Sequence, residues 1–181
     1  MSQVMFSSVS VPYPLYQSEK GRYFIGQTEM IPENTSKVLA AHTNPYDSKV
    51  NLYVNVITIT NTSESDVSTE FYVRTILTQG NPSENVSATN VSIVPAPKPA
   101  GKIIYQCNTN KPIEKGIGIF SRIISGRSTQ VVDGGQIILP PGQSLLTLTG
   151  GYLPVTVKNS IIVAFGWWEE PIFGDYEYPY C

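Results

Sequence analysis

The chain has 181 residues, of which 14% are charged, with 12 Lys and Arg against 14 Asp and Glu, giving a formal net charge of −2 and a pI near 5.4. That balance offers no clustered basic surface, so nucleic acid is not an expected partner. A mean hydropathy of −0.07 and the absence of any apolar run near the ~18 residues of a spanning helix argue against membrane insertion.

The length fits one domain, and a hydrophobic fraction of 41% suffices for a sizeable core. The charged fraction lies well below the roughly 25% usual in soluble domains, so the chain either hides much of its surface in contacts or risks aggregating.

Residues 1–18 carry no charged side chain. Val4, Phe6, Val9 and Val11 are apolar, and Pro12 and Pro14 then break the run. This segment reads either as a disordered terminus or as an extended arm lying on a sheet, its own or a neighbour's. No Lys or Arg precedes Lys20 and no continuous apolar stretch follows Met1, so a classical signal peptide is not expected.

Residues 19–170 read as a single β domain, and no convincing helix interrupts it. Arg22–Gly26 is the first core strand. Asn34-Thr-Ser-Lys-Val-Leu-Ala-Ala reads as one helical turn or an irregular strand, and Asn44-Pro-Tyr-Asp as a turn. Val50–Thr60 is apolar on both faces and therefore central. Asn61–Asp66 closes it and Val67–Thr78 runs back antiparallel, its alternation of apolar and polar residues having the period of two of a strand. Pro95-Ala-Pro-Lys-Pro-Ala-Gly is a stiff connector, read as a crossover within one sandwich rather than a linker between domains. Lys102–Cys107 and Gly116–Ile124 are further strands. Asp133-Gly-Gly predicts a hairpin between Thr129–Val132 and Gln136–Leu139, after which come Ser144–Thr149 and the almost wholly apolar Ser160–Trp168.

The pattern predicts an all-β fold of roughly eight to ten strands, an antiparallel two-sheet sandwich with jelly-roll or related Greek-key topology. Phe71, Val73, Val54, Val56, Leu146, Val163 and Phe165 are its expected core. Residues 171–181 form a Tyr-rich tail ending in Cys181.

Catalytic chemistry is sparse. His42 is the only histidine and reads as a solvated loop residue beside Thr43-Asn44-Pro45. With Cys107 and Cys181 it is too little for a zinc tetrahedron, and no cofactor is expected. Glu169 and Glu170, adjacent on a strand, point to opposite faces, cannot act as one carboxylate pair and read as surface charge at a strand end. Alternation places one of Trp167 and Trp168 inside and one outside, or one inside each layer of a two-sided strand; an exposed ring beside tyrosines would offer a platform for a sugar. Cys107 and Cys181 are the candidate cross-link, within one chain or between neighbours.

Five stretches carry a resemblance: Pro14-Leu-Tyr-Gln-Ser, Gly21-Arg-Tyr-Phe-Ile-Gly-Gln-Thr-Glu, Val50-Asn-Leu-Tyr-Val-Asn-Val, Leu139-Pro-Pro-Gly-Gln-Ser and above all Ala164-Phe-Gly-Trp-Trp-Glu-Glu. Over residues 14–170 the chain resembles an uncharacterised family of small proteins from endospore-forming Bacillus- and Clostridium-type bacteria. The resemblance implies a spore-forming setting and no activity. By type alone, the chain is also similar to fibre subunits of endospore appendages, small low-charge jelly-roll proteins with N-terminal connectors and cross-linking cysteines. It lacks their clustered N-terminal cysteines.

Together these readings lead to a non-enzymatic structural subunit that forms a homo-oligomer or polymer. Its expected place is a spore or cell surface, reached for instance by lysis of the producing cell, with other spore-surface proteins or glycans as further partners; the cytoplasm is the alternative location. Val4, Phe6, Val9 and Val11 would form the assembly arm. The rival reading is a carbohydrate- or surface-binding sandwich that uses Trp167 or Trp168.

Overall fold

The computed structural model describes residues 10–30, 37–75, 77, 79–107, 116–156 and 160–172, with the backbone alone at 107 and 134–136. A short helix, α1 (Tyr13–Glu19), precedes the strands β1 (Tyr23–Gln27), β2 (Val38–Thr43), β3 (Val50–Asn61) and β4 (Val67–Thr75). Three strands follow, β5 (Asn81–Pro82), β6 (Val86–Ala88) and β7 (Lys102–Cys107). The last four are β8 (Ile117–Ile124), β9 (Ser128–Leu139), β10 (Ser144–Thr149) and β11 (Ile161–Pro171).

They form two antiparallel sheets, one of five strands in the order β6-β1-β11-β3-β9 and one of six in the order β5-β7-β2-β10-β4-β8. The two ends of the chain pair as a single antiparallel ribbon, β1 with β11, β2 with β10, β3 with β9 and β4 with β8. The ribbon is rolled so that β11 also pairs β3 and β10 also pairs β4. Those eight strands are a jelly roll. The segment between β4 and β8 is an addition to it, placing β6 outside β1, and β7 and β5 outside β2.

One residue decides which side chains of the centre fill the core. Asn55 is skipped in both ladders of β3, since Gly166 and Trp167 face Val56 and Val54, and Asp133 and Ile137 face the same two residues. This bulge inverts the alternation. Leu52 and Val54 point inward before it, and Ile57 and Ile59 point inward after it, all fully buried. The two-sided apolar character of this strand therefore arises from a change of phase along it.

Of the expected core, Phe71, Val54, Val163 and Phe165 lie in the main cluster, and Val73 packs against its margin. Leu146 belongs to a separate small cluster with Leu39 and Ala41. Val56 is turned outward by the Asn55 bulge and is only half-buried.

Three further expectations are corrected. Tyr13–Glu19 is helical, although its prolines suggest an extended arm. Pro14 lies in the first turn, where a missing N–H costs nothing. Gly21, with φ +69°, closes the helix by a bond from its N–H to Ser18 O at 2.9 Å. Second, Asn61–Asp66 carries the chain across to the other sheet instead of back along β3. Buried Asn61 shapes that corner: its Nδ2 donates to Ser65 O (2.8 Å), and its Oδ1 accepts from Ser63 N (3.0 Å) and Ser63 Oγ (2.7 Å). Third, Asp133-Gly-Gly is no hairpin. It lies within the continuous β9, where residues 134–136 stand opposite Asn55 alone and the extra length is absorbed as a bulge.

Phe165 sits at the centre of the core and is almost fully buried. Its change to Ala should lower unfolding stability by about 3–5 kcal/mol, read from the denaturant midpoint. The exposed Val131→Ala should change it by less than about 0.5 kcal/mol.

Candidate assembly edge

A rolled ribbon of finite length leaves sheet edges, and here they are unequal. The edge strands are β6 and β9 in one sheet and β5 and β8 in the other. On one side they have only 2 residues (β5) and 3 residues (β6); on the other, 8 (β8) and 12 (β9). The turn Ser125–Arg127 joins β8 to β9, so both long edges lie on the same side of the sandwich. That turn is pinned to the Asn61–Asp66 corner by Arg127 N–H to Ser63 O (2.7 Å) and Gly126 N–H to Asp66 Oδ1 (3.1 Å).

Edge strands are usually protected by shortness, charge, proline or bulges. β5 and β6 are protected by shortness. β8 and β9 contain no Lys and no Pro, and their charged residues are one Arg122 and one Asp133. Bulges interrupt β8 at Ile119 and β9 after Asp133, leaving Phe120–Ile124 and Ser128–Asp133 as regular open stretches. The side is apolar as well as open. Ile123 is 65% exposed, Val131 54% and Ile138 52%, and Ile117 is also exposed. Between the two edges the sheets part over a cleft of about 580 Å³, lined by Val73, Ile119, Ile137 and Leu139 with Arg74 at its margin.

The aromatic pair lies elsewhere. Trp167 faces the core and is fully buried. Trp168, on the outer face of β11, stacks on Tyr53 (5.4 Å, interplanar 4°) and Tyr23 (6.4 Å), while Tyr13 of α1 meets it edge-on (5.6 Å). Gln17 donates to Glu170 Oε1 at 2.7 Å, and the Tyr13 hydroxyl donates to the same oxygen. The helix thus closes the shelf, and Trp168 keeps 8% of its surface exposed. Neither ring offers an open face to a sugar.

His42 is not a loop residue. It lies in β2, fully buried, 4.3 Å from the Trp167 ring and 5.4 Å from Phe165, because the strand runs on through Thr43 before the turn begins. Neither ring nitrogen has a hydrogen-bond partner among the described residues, and desolvation holds its pKa down at about 3. Glu169 is not a surface charge at a strand end. Its carboxylate accepts from Gly101 N–H (2.9 Å), Ala100 N–H (3.0 Å) and Trp167 Nε1–H (3.0 Å), tying the proline-rich connector to β11. A Cβ on Gly101 would come within 2.9 Å of both His42 Nε2 and Leu52 Cδ1, so the connector can approach this closely only as glycine. These side chains do structural work, and the glycine that ends the Pro95–Gly101 run was the one sequence signal of it.

Cys107 closes β7 opposite Val38. Its side chain, the whole of Cys181, the arm residues Val4, Phe6 and Val9, and residues 34–36 lie outside the described residues; Val38, Leu39, Ala40 and Ala41, which end the segment read as a helical turn or an irregular strand, belong to β2, and Val11 is exposed. Among the described residues, no three of His, Cys, Asp or Glu come together in an arrangement that could hold a metal ion, and no helix is long and apolar enough to cross a membrane.

By class, then, the protein is a jelly-roll sandwich whose β8–β9 side has no further strand beside it among the described residues. It belongs to the family of unknown function DUF6143, whose family model matches residues 3–174. No curated protein and no solved structure matches the chain.

The buried histidine gives a pH dependence of definite sign. Below the ordinary value of 6.5 the unfolded chain takes up a proton that the folded chain refuses down to about 3. The stability is therefore complete above pH 6.5 and falls across that window by up to about 1.4 kcal/mol per pH unit. Burial raises the pKa of Glu70, which acts in the opposite sense: its contribution is present at low pH and declines as pH rises above its ordinary 4.5. Glu70 is common to the native chain and the His42→Leu variant, so the difference between them isolates the histidine. Denaturant titrations at several pH values should show a flatter profile for His42→Leu; parallel profiles would contradict the assignment.

Proposed function

We propose that this protein is a non-enzymatic structural subunit that assembles with copies of itself through the β8–β9 side, with residues 1–9 exchanged between neighbours. The observation that carries the reading is the inequality of the edges. One side is shortened to strands of two and three residues, while the other presents long, nearly uncharged, isoleucine-rich strands. Such an edge offers unpaired N–H and C=O groups beside apolar area, which is what strand addition between chains requires.

Symmetry sets what this contact builds. Two copies meeting through the same side form a closed two-fold pair, and growth into a fibre or layer needs a second, different contact. Exchange of the uncharged segment bearing Val4, Phe6 and Val9 supplies that contact. Cys107 and Cys181 of neighbouring copies would lock the assembly where their Cα atoms come within about 7 Å. The proposed setting, a spore or cell surface with other surface proteins or glycans as partners, rests on the sequence resemblance.

On a sizing column at micromolar concentration without reductant, the full chain should elute well above its monomer mass of 19.9 kDa. Ile123→Lys should weaken that assembly while changing unfolding stability by less than about 0.5 kcal/mol, because the side chain is mostly exposed. A full-length protein eluting as a clean monomer would refute the reading.

A further inference from the structure

A second surface is built on the outer face of the five-stranded sheet. Where α1 stops covering that face, the sheet sinks into an open groove of about 610 Å³. Ala164 and Gly166 of β11 form its floor. Ile25 and Val86 stand on one wall, and Val56 and Thr58 on the other, with Glu84 among the lining residues. The groove owes its depth to backbone geometry. The Asn55 bulge turns Val56 outward as a wall, and a Cβ at Gly166 would meet Val56 Cγ1 at 2.7 Å and the Tyr23 hydroxyl at 2.8 Å. Tyr23 is also the member of the aromatic shelf nearest the groove, and its hydroxyl is held by Asn55 Nδ2 at 2.9 Å.

We propose that this groove is the acceptor for residues 1–9 of this chain's own sequence, supplied by a neighbour when arms are exchanged; the exchange itself rests on the assembly reading above. Three facts select this occupant. The first is position: the chain enters α1 at Tyr13, whose ring lies against Trp168, two residues along β11 from Gly166. The second is reach. Nine residues extended at about 3.3 Å each span about 30 Å, far more than the step from Trp168 to the groove. The third is chemistry. Residues 1–9 carry Val4, Phe6 and Val9 and no charged side chain, and so suit a lining that is mostly apolar. Docking there would also cover Ile25, which stands half-exposed at the rim.

The test uses a fluorescent synthetic peptide of residues 1–11 and the protein lacking residues 1–9, which keeps α1 intact. The peptide should bind saturably and compete with its unlabelled form. Ala164→Phe, which fills the groove floor from outside the core, should weaken binding about ten-fold or more. Thr58→Arg on the opposite wall provides a second block should the first variant fail to fold. Ile123→Lys, on the distant β8 edge, should leave peptide binding unchanged. No saturable binding, equal binding by both groove variants, or equal binding of a scrambled peptide would overturn the proposal. The peptide assay reads the groove and does not depend on the β8–β9 contact, so its failure is separable from failure of the assembly reading, which the sizing column reports.

Discussion

The pairing of β3 with β11 is the constraint from which the rest of the structure follows. It runs from Ile161 opposite Asn61 to Pro171 opposite Val50, joining the third strand of one arm of the ribbon to the last strand of the other. The Asn55 bulge within it sets the phase. Everything odd-numbered on β11 from Ile161 to Glu169 is then buried, so Trp167 meets His42 and Glu169 reaches the connector. Everything even-numbered faces outward, so Trp168 becomes the shelf for α1, and Ala164 with Gly166 becomes the groove floor. The bulge sets the two phases of β3, and the unbroken alternation of β11 sets which of its residues enter the interior and which form the two surfaces of this sheet.

The insertion between β4 and β8 explains why, among the described residues, the long edges lie on one side and only short edge strands on the other. Its short strands cap β1 and β2, and Glu169 holds its connector down through two backbone N–H bonds and the Trp167 indole. A carboxylate placed so deeply is tolerable because three donors replace its water. Nothing equivalent covers β8 and β9 among the described residues. Those strands keep an apolar surface with one charge of each sign. A monomer rarely retains a long, uncharged edge unless the edge has a partner. The low overall charge of the chain is consistent with a surface of this kind.

Much of this architecture was legible in the sequence, because alternation and turn residues report directly on strands. Most strand positions, the centrality of Val50–Thr60 and of the last strand, and the opposite faces of Trp167 and Trp168 all follow from period-two patterning. The misplacements share a physical cause: each depends on a neighbour that local sequence does not contain. Asp133-Gly-Gly looks like a hairpin until Asn55 across the ladder makes it a bulge. Pro14 looks like a breaker until it falls in a first helical turn, where seven residues stay helical because Trp168 and Glu170 lie beneath them. His42 looks solvated because a lone histidine usually is, and only the packing of β2 under Trp167 buries it. The open edge was invisible for the same reason, since an edge is a statement about strand order, which a single chain's pattern does not carry.

The central claim, that β8 and β9 are used as partner strands, can be read amide by amide. Native-state hydrogen exchange on the full chain, compared between dilute and concentrated solutions, separates the outward N–H groups of Phe120–Ile124 and Ser128–Asp133 from those already paired in the ladders. Concentration-dependent protection of these outward amides, with β5 and β6 unchanged, is the predicted result. Equal exchange of β8 and β9 at both concentrations, while the sample is demonstrably assembled, would contradict it and place the contact elsewhere on the molecule.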